Sequence, residues 1–321
     1  DRLQNAYSVA RQALLDERQN CPYWEGELSA SALSTATAIS ALALYQRATE
    51  TAGSQEQEPT VAGPATCQPL IDGGINWLRD HQNPDGGWSK ESYTDKTSMW
   101  ITTFVGLKLC RGNLVLKDPD IQATVDKTLE YVLSMQEEDG HWSDPEWSHL
   151  DTTCSVTCFL TIYQVTQDKT ANERINKARI KGFEFIVQWQ RDSGLWKDDT
   201  FHPAGIETTS HLMQYTLVPA YFMDKIEYAG KMCMQAAESL VAAQAENGSW
   251  DNENTDHTMD ACRNLMLVSD TFKTKEKYAP VIEKGVRWLI DIKNEQGWGD
   301  FPQEPSNVER SADGLDTLLK F

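Results

Sequence analysis

The stretch Gln136-Glu-Glu-Asp-Gly140-His-Trp142 carries a motif that returns along the chain. The same Gln-x-x-x-Gly-x-Trp spacing ends at three other tryptophans, and the four lie 54 residues apart: Trp88, Trp142, Trp196 and Trp250. Degenerate copies end at Trp24 and Trp298, which makes six copies in 321 residues. A constant interval of this size indicates one supersecondary unit repeated six times.

Each unit has the pattern of an amphipathic helix, a turn and a second helix that is apolar on almost every face. In the second unit, 71–78 places apolar residues at helical spacing. Asn83-Pro-Asp-Gly-Gly87 then breaks the helix, because proline and glycine favour turns. The following stretch, 97–109, is apolar on nearly all sides, which predicts a fully buried helix.

The same order of helices recurs in the other five units. The predicted outer helices are 3–15, 125–135, 180–189, 229–243 and 281–292, and the predicted inner helices are 32–44, 153–163, 208–218, 258–268 and 311–321. Six buried helices inside six amphipathic ones predict an all-α fold, an α/α toroid (α6/α6 double barrel) with parallel inner helices. An open solenoid is the alternative; closure is favoured because neither end shows a polar capping repeat.

Length and composition fit one large domain. We expect a single toroid over 1–321, with a flexible loop insertion at 49–69, where Gly, Pro, Ala, Gln and Glu replace the periodic pattern. Forty per cent of the residues are apolar and eleven are tryptophan, which is enough material for a large core.

The charge and the cysteines restrict the class of partner and the compartment. A formal charge of −19 disfavours nucleic acid and anionic membrane surfaces, because both would be repelled. No stretch approaches the roughly 18 uninterrupted apolar residues of a membrane span, and the first residues show no signal-peptide pattern. The seven cysteines form no CxxC pair, which is typical of reduced core thiols. We therefore expect a cytoplasmic protein without a transmembrane segment.

The tryptophan repeat resembles the QW motif of the squalene-hopene and oxidosqualene cyclases. The first unit, Tyr23-Trp-Glu-Gly-Glu-Leu-Ser-Ala-Ser-Ala32, is similar to their early Trp-x-Gly-Glu-Leu segment. The resemblance covers nearly the whole chain and implies the toroid shared by terpenoid cyclases and protein prenyltransferase β-subunits. A full triterpene cyclase resembles two such toroids, whereas this chain has residues for one. A second polypeptide that completes the cavity is therefore a partner that the resemblance allows.

A second periodic element follows the tryptophans: an acidic residue with a hydroxyl two positions later. The five pairs are Asp95 and Thr97, Asp151 and Thr153, Glu207 and Thr209, Asp256 and Thr258, and Glu309 and Ser311; Ser31 takes the matching place in the first unit. Each acid falls where an inner helix begins, so helix capping, worth about 0.5–1 kcal/mol, is the simpler interpretation. If the inner helices run parallel, the five carboxylates share one mouth and form a polar entrance to an apolar barrel.

Asp151 differs from the other acids in its sequence context. His149-Leu-Asp151-Thr-Thr-Cys154 resembles the Asp-x-Asp-Asp-Thr-Ala motif of squalene-hopene cyclases and the Asp-Cys-Thr-Ala motif of oxidosqualene cyclases. Both alignments place the proton-donating aspartate at Asp151, so the resemblance implies Asp151 as the general acid, with His149 and Cys154 as catalytic neighbours. Such a donor must be neutral at rest, which calls for a water-poor pocket.

Aromatic residues near the mouth would stabilise a carbocation through cation–π contacts. We expect the substrate to be bound by these aromatic residues together with the mouth acids and histidines: Asp95, Trp100, Trp147, Glu207, His211, Tyr215, Asp256, His257 and Glu309. The alternative is that an aromatic side chain on a buried helix belongs to the core. We expect the six repeat tryptophans to be structural.

Metal and diphosphate chemistry find little support. Four histidines, including His202, fall near the mouth acids, so a mixed zinc site is an alternative, but no pair has a dedicated ligand spacing. No DDxxD run offers a magnesium-diphosphate site. We expect no metal and no cofactor.

The sequence favours a terpene cyclase-like enzyme of the isomerase or lyase type. Its substrate would be an apolar isoprenoid, which it cyclises or isomerises after protonation by Asp151. The alternatives are a non-catalytic isoprenoid-binding toroid and a protein-interaction scaffold.

Overall fold

A computed structural model describes residues 2–18, 23–24, 31–51, 67–90, 96–167, 172–197 and 204–321. The outer helices are α1 (Arg2–Arg18), α3 (Gln68–Asp80), α5 (Pro119–Ser134), α7 (Glu173–Val187), α10 (Glu227–Ala243) and α12 (Lys275–Ile292). The inner helices are α2 (Ala32–Thr51), α4 (Met99–Leu116), α6 (His149–Thr166), α8 (Ile206–Leu212), α9 (Val218–Phe222), α11 (Thr255–Phe272) and α13 (Val308–Lys320). Two short strands, β1 (Trp88–Ser89) and β2 (Thr97–Ser98), pair antiparallel.

The inner helices form a closed ring. Going round it, α2 packs on α4, α4 on α6, α6 on α8, α8 on α11, α11 on α13, and α13 returns to α2. The outer helix α1 packs against α13 and α12, so the outer layer follows the same closure. The predicted α/α toroid is confirmed, and the open solenoid is excluded because α13 contacts α2.

The helices lie where the sequence predicted them, but several are longer than predicted. The helix predicted at 125–135 begins at Pro119, because Asp118 caps it by accepting from the backbone N–H groups of Asp120 and Ile121. Of the loop expected at 49–69, the first residues belong to α2 and the last two to α3, while 52–66 lies outside the described residues. The single domain over 1–321 stays a prediction.

A π-helical turn, Met213–Leu217, separates α8 from α9. Pro219 has no N–H for the carbonyl of Tyr215, which instead accepts a hydrogen bond from the Thr161 hydroxyl on α6 at 2.7 Å. The hydroxyls of Thr157 and Thr216 share a second bond of 2.9 Å across the same interface. The widened turn is therefore held by two hydroxyl contacts to α6.

The six repeat tryptophans make the same contacts in every unit. Each indole is at most 1% exposed. In the third unit the Trp142 indole Nε1 donates to the Val132 carbonyl of α5 at 2.8 Å, and its backbone N–H donates to the Thr153 hydroxyl of α6 at 3.1 Å. Gln136 Nε2 donates to the Gly140 carbonyl and also to the Ala178 carbonyl of the next outer helix. The turn of this unit therefore joins its outer helix, its inner helix and the following unit, and the tryptophan contacts to the first two recur in all six units, which supports the structural role expected for these tryptophans.

The glycine of the motif is required by the turn. Gly140 has a φ of 101°, and a Cβ at this position would lie 2.5 Å from the carbonyl oxygen of Lys181 on the next outer helix. A side chain here would be strained by the backbone and would also collide with the neighbouring unit.

Six cysteines fall within the described residues, and all six are buried and free. None of the helices described in the structure combines the length and apolar character needed to cross a membrane.

Candidate functional site

The hydroxyl that accepts each tryptophan N–H marks equivalent positions on the six inner helices. These hydroxyls are Thr35, Thr102, Thr153, Thr209, Thr258 and Ser311. Two positions earlier, the six helices carry Leu33, Trp100, Asp151, Glu207, Asp256 and Glu309. The pairing of Asp95 with Thr97 was therefore wrong in register, since Thr102 accepts from Trp88. Leu33 takes the place assigned to Ser31 in the first unit, and Asp95 itself lies outside the described residues.

The mouth acids do not act as N-caps. The N-cap residues are Ser148 before Asp151, Gly205 before Glu207, Asn254 before Asp256 and Asn307 before Glu309. The Asn254 side chain accepts from the His257 N–H at 3.0 Å, and the Asn307 side chain accepts from the Arg310 N–H at 2.9 Å. The acids instead lie in the first helical turn, where the positive end of the helix dipole still favours a carboxylate.

A cavity of about 370 Å³ opens between the first turns of the inner helices. It brings together seven of the residues that the sequence analysis assigned to substrate binding: Trp100, Trp147, Glu207, His211, Asp256, His257 and Glu309. We call it the mouth cavity. Sequence reasoning assigned none of the other eleven lining residues to the site, and these include Phe104, Lys108, Arg310 and Asp313.

The remaining predicted site residues lie outside the lining of the mouth cavity. His149 is exposed and stacks on His141, with ring centroids 4.2 Å apart. Cys154 is buried, and burial together with the neighbouring Cys158 raises its pKa well above the usual value, so the thiol is neutral. Tyr215 lies buried, and burial raises its pKa to about 12.

Asp151 is 5% exposed and stands behind the cavity wall. The Ser148 hydroxyl donates to Oδ2 at 2.7 Å, and the Thr208 hydroxyl donates to Oδ1 at 2.8 Å. The Asp151 N–H donates to the Ser148 hydroxyl at 3.1 Å, so the Ser148 side chain caps α6 while it also donates to the Asp151 carboxylate. Thr208 follows Glu207, which lines the cavity, so this hydrogen bond ties Asp151 to the helical turn that carries a residue of the wall.

One side of the mouth cavity is aromatic. Trp100 stacks on Trp147 with ring centroids 4.4 Å apart and planes 12° apart, and Phe104 lies 4.5 Å from Trp100. Trp100 occupies the position of a mouth acid, and Phe104 follows one helical turn deeper on α4. This side can bind an apolar face or stabilise a cation.

The other side of the mouth cavity is ionic. Arg310 Nη1 lies 2.8 Å from the Asp256 carboxylate, and its Nε donates to Asp300 at 2.6 Å. Burial raises the pKa of Asp256 to about 6 despite Arg310, with help from nearby carboxylates that include Glu207. His257 lies 3.3 Å from Glu207 and 2.7 Å from Asp251; burial alone would lower its pKa, but Glu207, Asp256 and Asp251 together outweigh burial and raise it to about 9. His257 is therefore charged at neutral pH.

Ion pairs form the floor of the mouth cavity, so the apolar barrel expected from the sequence was wrong at this level. They come from pairs of charged residues spaced three apart on three inner helices: Lys108 and Arg111 on α4, Asp260 and Arg263 on α11, and Asp313 and Asp316 on α13. Lys108 Nζ lies 2.9 Å from Asp313, and Arg111 lies 2.8 Å from Asp316. Burial would raise the pKa of Asp313, but Lys108 and Arg263 outweigh it and lower the pKa to about 2.

The missed signal was the i, i+3 spacing of these charges within helices that are otherwise apolar. A helix whose mean composition is apolar still places residues three apart on one face. Because α4, α11 and α13 turn that face to the ring centre, their charges meet there. His211 joins the same set: it lies 3.1 Å from Asp260, which outweighs the lowering effect of burial and raises the pKa of His211 to about 10.

The zinc alternative requires several ligand side chains to converge among the described residues. Within them, no group of three or more His, Cys, Asp or Glu side chains is arranged to hold a metal ion. His202, one of the four histidines of the zinc alternative, lies outside the described part of the chain.

Comparison with known protein families supports the resemblance. Residues 103–226 match the squalene-hopene cyclase C-terminal domain. A squalene-hopene cyclase from Zymomonas mobilis is 22% identical over 163 residues, which cover 47% of this chain and 23% of that protein. The chain thus spans less than a quarter of that relative's length. The resemblance to squalene-hopene cyclase-like proteins is confirmed.

Solved structures share the toroid over nearly the whole chain. A type II terpene cyclase from Scytonema, in complex with the product merosterolic acid A, superposes with a TM-score of 0.67 at 14% identity, covering 99% of this chain and 96% of that one. An inactive variant of an α-1,6-mannanase from Salegentibacter, in complex with α-1,6-mannotetrose, gives a TM-score of 0.73 at 11% identity, covering 100% and 98%. At these identities the similarity concerns the fold, which serves both terpene cyclases and glycoside hydrolases.

Proposed function

We propose that the chain is a terpene cyclase-like enzyme that protonates an isoprenoid substrate and cyclises or isomerises it, with Asp151 as the general acid. The observation that carries the proposal is the position of Asp151. It lies within the segment 103–226 that is similar to squalene-hopene cyclases, buried at the start of an inner helix beside the wall of the mouth cavity.

The surroundings of Asp151 are compatible with storing a proton. A protonated carboxyl needs one acceptor for its own hydrogen, whereas both hydroxyls now donate to it. Ser148 and Thr208 can each reverse and accept, because a hydroxyl carries one donor and two acceptor sites. Proton delivery then requires the substrate to reach Asp151 through the Thr208 side of the wall.

The aromatic side of the mouth cavity supports the same chemistry. Protonation of an alkene leaves a carbocation, and the faces of Trp100, Trp147 and Phe104 offer the quadrupole that stabilises a cation. A second polypeptide that completes the cavity stays a prediction of the resemblance.

The test compares Asp151→Asn with the wild type. Purified protein is incubated with C10, C15 and C20 isoprenoids, and products are measured by gas chromatography with mass spectrometry. Asparagine retains the shape and a polar contact to each hydroxyl but cannot donate a carboxyl proton, so we expect product formation to fall at least about 100-fold. Asp192→Asn, an exposed turn position, is the matched control.

Three outcomes contradict the proposal. Full activity in Asp151→Asn would remove Asp151 as the general acid. If the wild type forms no product but an isoprenoid co-purifies with it from its own cells, the carrier alternative replaces the enzyme; if neither is found, the scaffold alternative does.

A further inference from the structure

We infer that the mouth cavity binds a neutral ligand that carries hydroxyl groups on one side and an apolar face on the other. This inference deepens the proposed function by restricting its substrate class, and it rests on that function only where the ligand is taken to be an isoprenoid. A pure hydrocarbon and an anionic head group are both excluded by the same features of the wall.

A hydrocarbon would desolvate the ionic side without replacing its water. Glu207, Asp256, His257 and Arg310 are between 14 and 20% exposed, and all four line the cavity. Covering charged groups with an apolar surface removes their remaining hydration and returns no hydrogen bond. The ligand must therefore present polar groups to this side.

Two carboxylates of the wall have unused acceptor capacity. Among the described residues, the Asp256 side chain is contacted through Oδ2 by Arg310, and Glu309 accepts through Oε1 from the Ser34 hydroxyl at 2.7 Å. A carboxylate has about four lone-pair sites, so both side chains can accept more hydrogen bonds. Groups that donate are therefore favoured.

The cations of the wall already have acidic partners. Each of the five lies within 3.3 Å of at least one carboxylate: Lys108, His211, His257, Arg263 and Arg310. An anionic ligand would compete with these carboxylates for the cations and would also face Asp256 and Glu309. A hydroxyl suits the wall better, because it donates to the two acids and accepts from the remaining N–H groups of the cations.

The aromatic side completes the match. The stacked pair Trp100 and Trp147, with Phe104 next to it, lies in the same cavity as the ionic side. A ligand with an apolar face opposite its hydroxyls fills both sides at once. Two sources share this chemistry: a terpenoid alcohol and a carbohydrate, whose ring has an apolar C–H face and a hydroxyl edge.

Binding calorimetry with four probes tests the inference without any need for turnover. Farnesol, farnesene and farnesoate share a fifteen-carbon skeleton, which ends in a hydroxymethyl group in farnesol, in a diene in farnesene and in a carboxylate in farnesoate. The carbohydrate source is represented by α-1,6-mannotriose. We expect farnesol or mannotriose to bind about tenfold or more tighter than farnesene and farnesoate, as hydrogen bonds to charged groups predict. Which of the two binds identifies the source.

Glu309→Gln tests the role of the wall directly. Glutamine keeps an oxygen for the bond from Ser34 and replaces the other oxygen with a donor, so the ring contact is preserved while acceptor capacity is lost. We expect the hydroxylated probe to bind about tenfold more weakly and farnesene to be unaffected. Glu246→Gln, an exposed turn residue, controls for the loss of one negative charge.

The inference is overturned if farnesene or farnesoate binds as tightly as the hydroxylated probes, if neither hydroxylated probe binds, or if Glu309→Gln leaves the preference unchanged. Its failure is distinguishable from failure of the proposed function. If no product forms but hydroxylated probes bind more tightly, the proposed enzyme function is wrong and the proposed ligand class stands. If product forms from farnesene and hydroxylated probes bind no more tightly, the ligand class is wrong and the enzyme function stands.

Discussion

The six tryptophan turns and the mouth cavity belong to the same repeats, yet they follow opposite rules. In every turn an indole Nε1 donates to an outer-helix carbonyl and a backbone N–H donates to an inner-helix hydroxyl. At the mouth, the six equivalent positions carry one leucine, one tryptophan and four acids. The turns build the ring identically six times, and the mouth uses the six copies to place different chemistry around one cavity.

The difference has a physical origin. Each turn must satisfy buried backbone groups and pack a large indole, so its residue types are fixed by geometry. A residue in the first helical turn that faces the cavity does not have to satisfy backbone groups or pack an indole within its own unit. The following predictions test whether stability resides in the turns and ligand recognition in the mouth.

The largest expected effect is that of Trp142→Ala. It leaves a cavity between α5 and α6, where the indole is fully buried, and it removes the hydrogen bond from Nε1 to the Val132 carbonyl. We therefore expect the free energy of unfolding to fall by about 3–5 kcal/mol. Trp147→Ala, which loses a stacked partner at the mouth, should cost at most about 1.5 kcal/mol. Urea denaturation followed by circular dichroism measures both, and equal losses would contradict the comparison.

The next effect concerns two glycines. Gly140→Ala places a side chain at positive φ and against the Lys181 carbonyl, and we expect a loss of about 2 kcal/mol or more. Gly112→Ala on α4 is the matched control, because its Cβ would meet only ordinary contacts at 3.5 Å or more. Alanine should stabilise that helix by about 0.5–1 kcal/mol. Thermal melts of both variants show whether each substitution raises or lowers the stability. An increase in stability for Gly140→Ala would be inconsistent with a strained turn.

A smaller effect tests the register of the second unit. Thr102→Val removes the hydroxyl that accepts the Trp88 N–H at 2.9 Å in a buried site, which should cost about 1–3 kcal/mol. Thr97→Val removes half-buried contacts to Asn83 and Asp85 and should cost less than about 1 kcal/mol. If chemical denaturation finds the reverse order, Thr97 is the true counterpart of Thr153.

The smallest expected effect is a pH dependence confined to the mouth. The pKa of His211 rises from about 6.5 when unfolded to about 10 when folded, so its stabilisation is complete below pH 6.5 and is lost as pH rises towards 10. Between pH 7 and 8 the titration of His211 should lower the free energy of unfolding by up to about 1.4 kcal/mol. His257 contributes with the same sign up to about pH 9, so the measurement compares the slopes of wild type and His211→Asn.

His257, Asp256 and Lys320 also titrate in or near this window in both proteins, so the difference between the two slopes isolates the contribution of His211. Asp256, with a pKa of about 6, is largely ionised above pH 7, whereas Lys320, whose pKa burial lowers to about 8, loses its proton in the folded protein in the upper part of the window and opposes the His211 slope. A slope that is unchanged in His211→Asn would show that His211 is not stabilised by its contact with Asp260.

The sequence was sufficient for the ring because the repeat encodes it locally. A glycine, a tryptophan and a glutamine at fixed spacing predict where each outer helix ends, and alternating amphipathic and apolar helices predict two layers. The mouth was only partly predictable. Glu207, Asp256 and Glu309 were found through their spacing from the hydroxyls, but Asp95 was misassigned because the connection in that unit is longer.

Partners that lie on different helices left no local signal. Lys108 and Asp313 are 205 residues apart, and nothing in either segment indicates that they meet. Their contact depends on which face of α4 and α13 turns inwards, which is fixed by packing round the whole ring. Asp151 shows the same limit, because its Thr208 partner lies 57 residues away on the next inner helix.

The link from each tryptophan N–H to its hydroxyl spans an unequal number of residues: 11, 14, 11, 13, 8 and 13 in chain order. Both ends of every link are anchored by the same hydrogen bond, so residues can be gained or lost between them while the helices keep their places. These six connecting segments are therefore positions where inserted residues could change the lining of the mouth cavity at little cost in folding free energy. An engineer who wishes to change what this ring holds should insert sequence there and leave the tryptophans untouched.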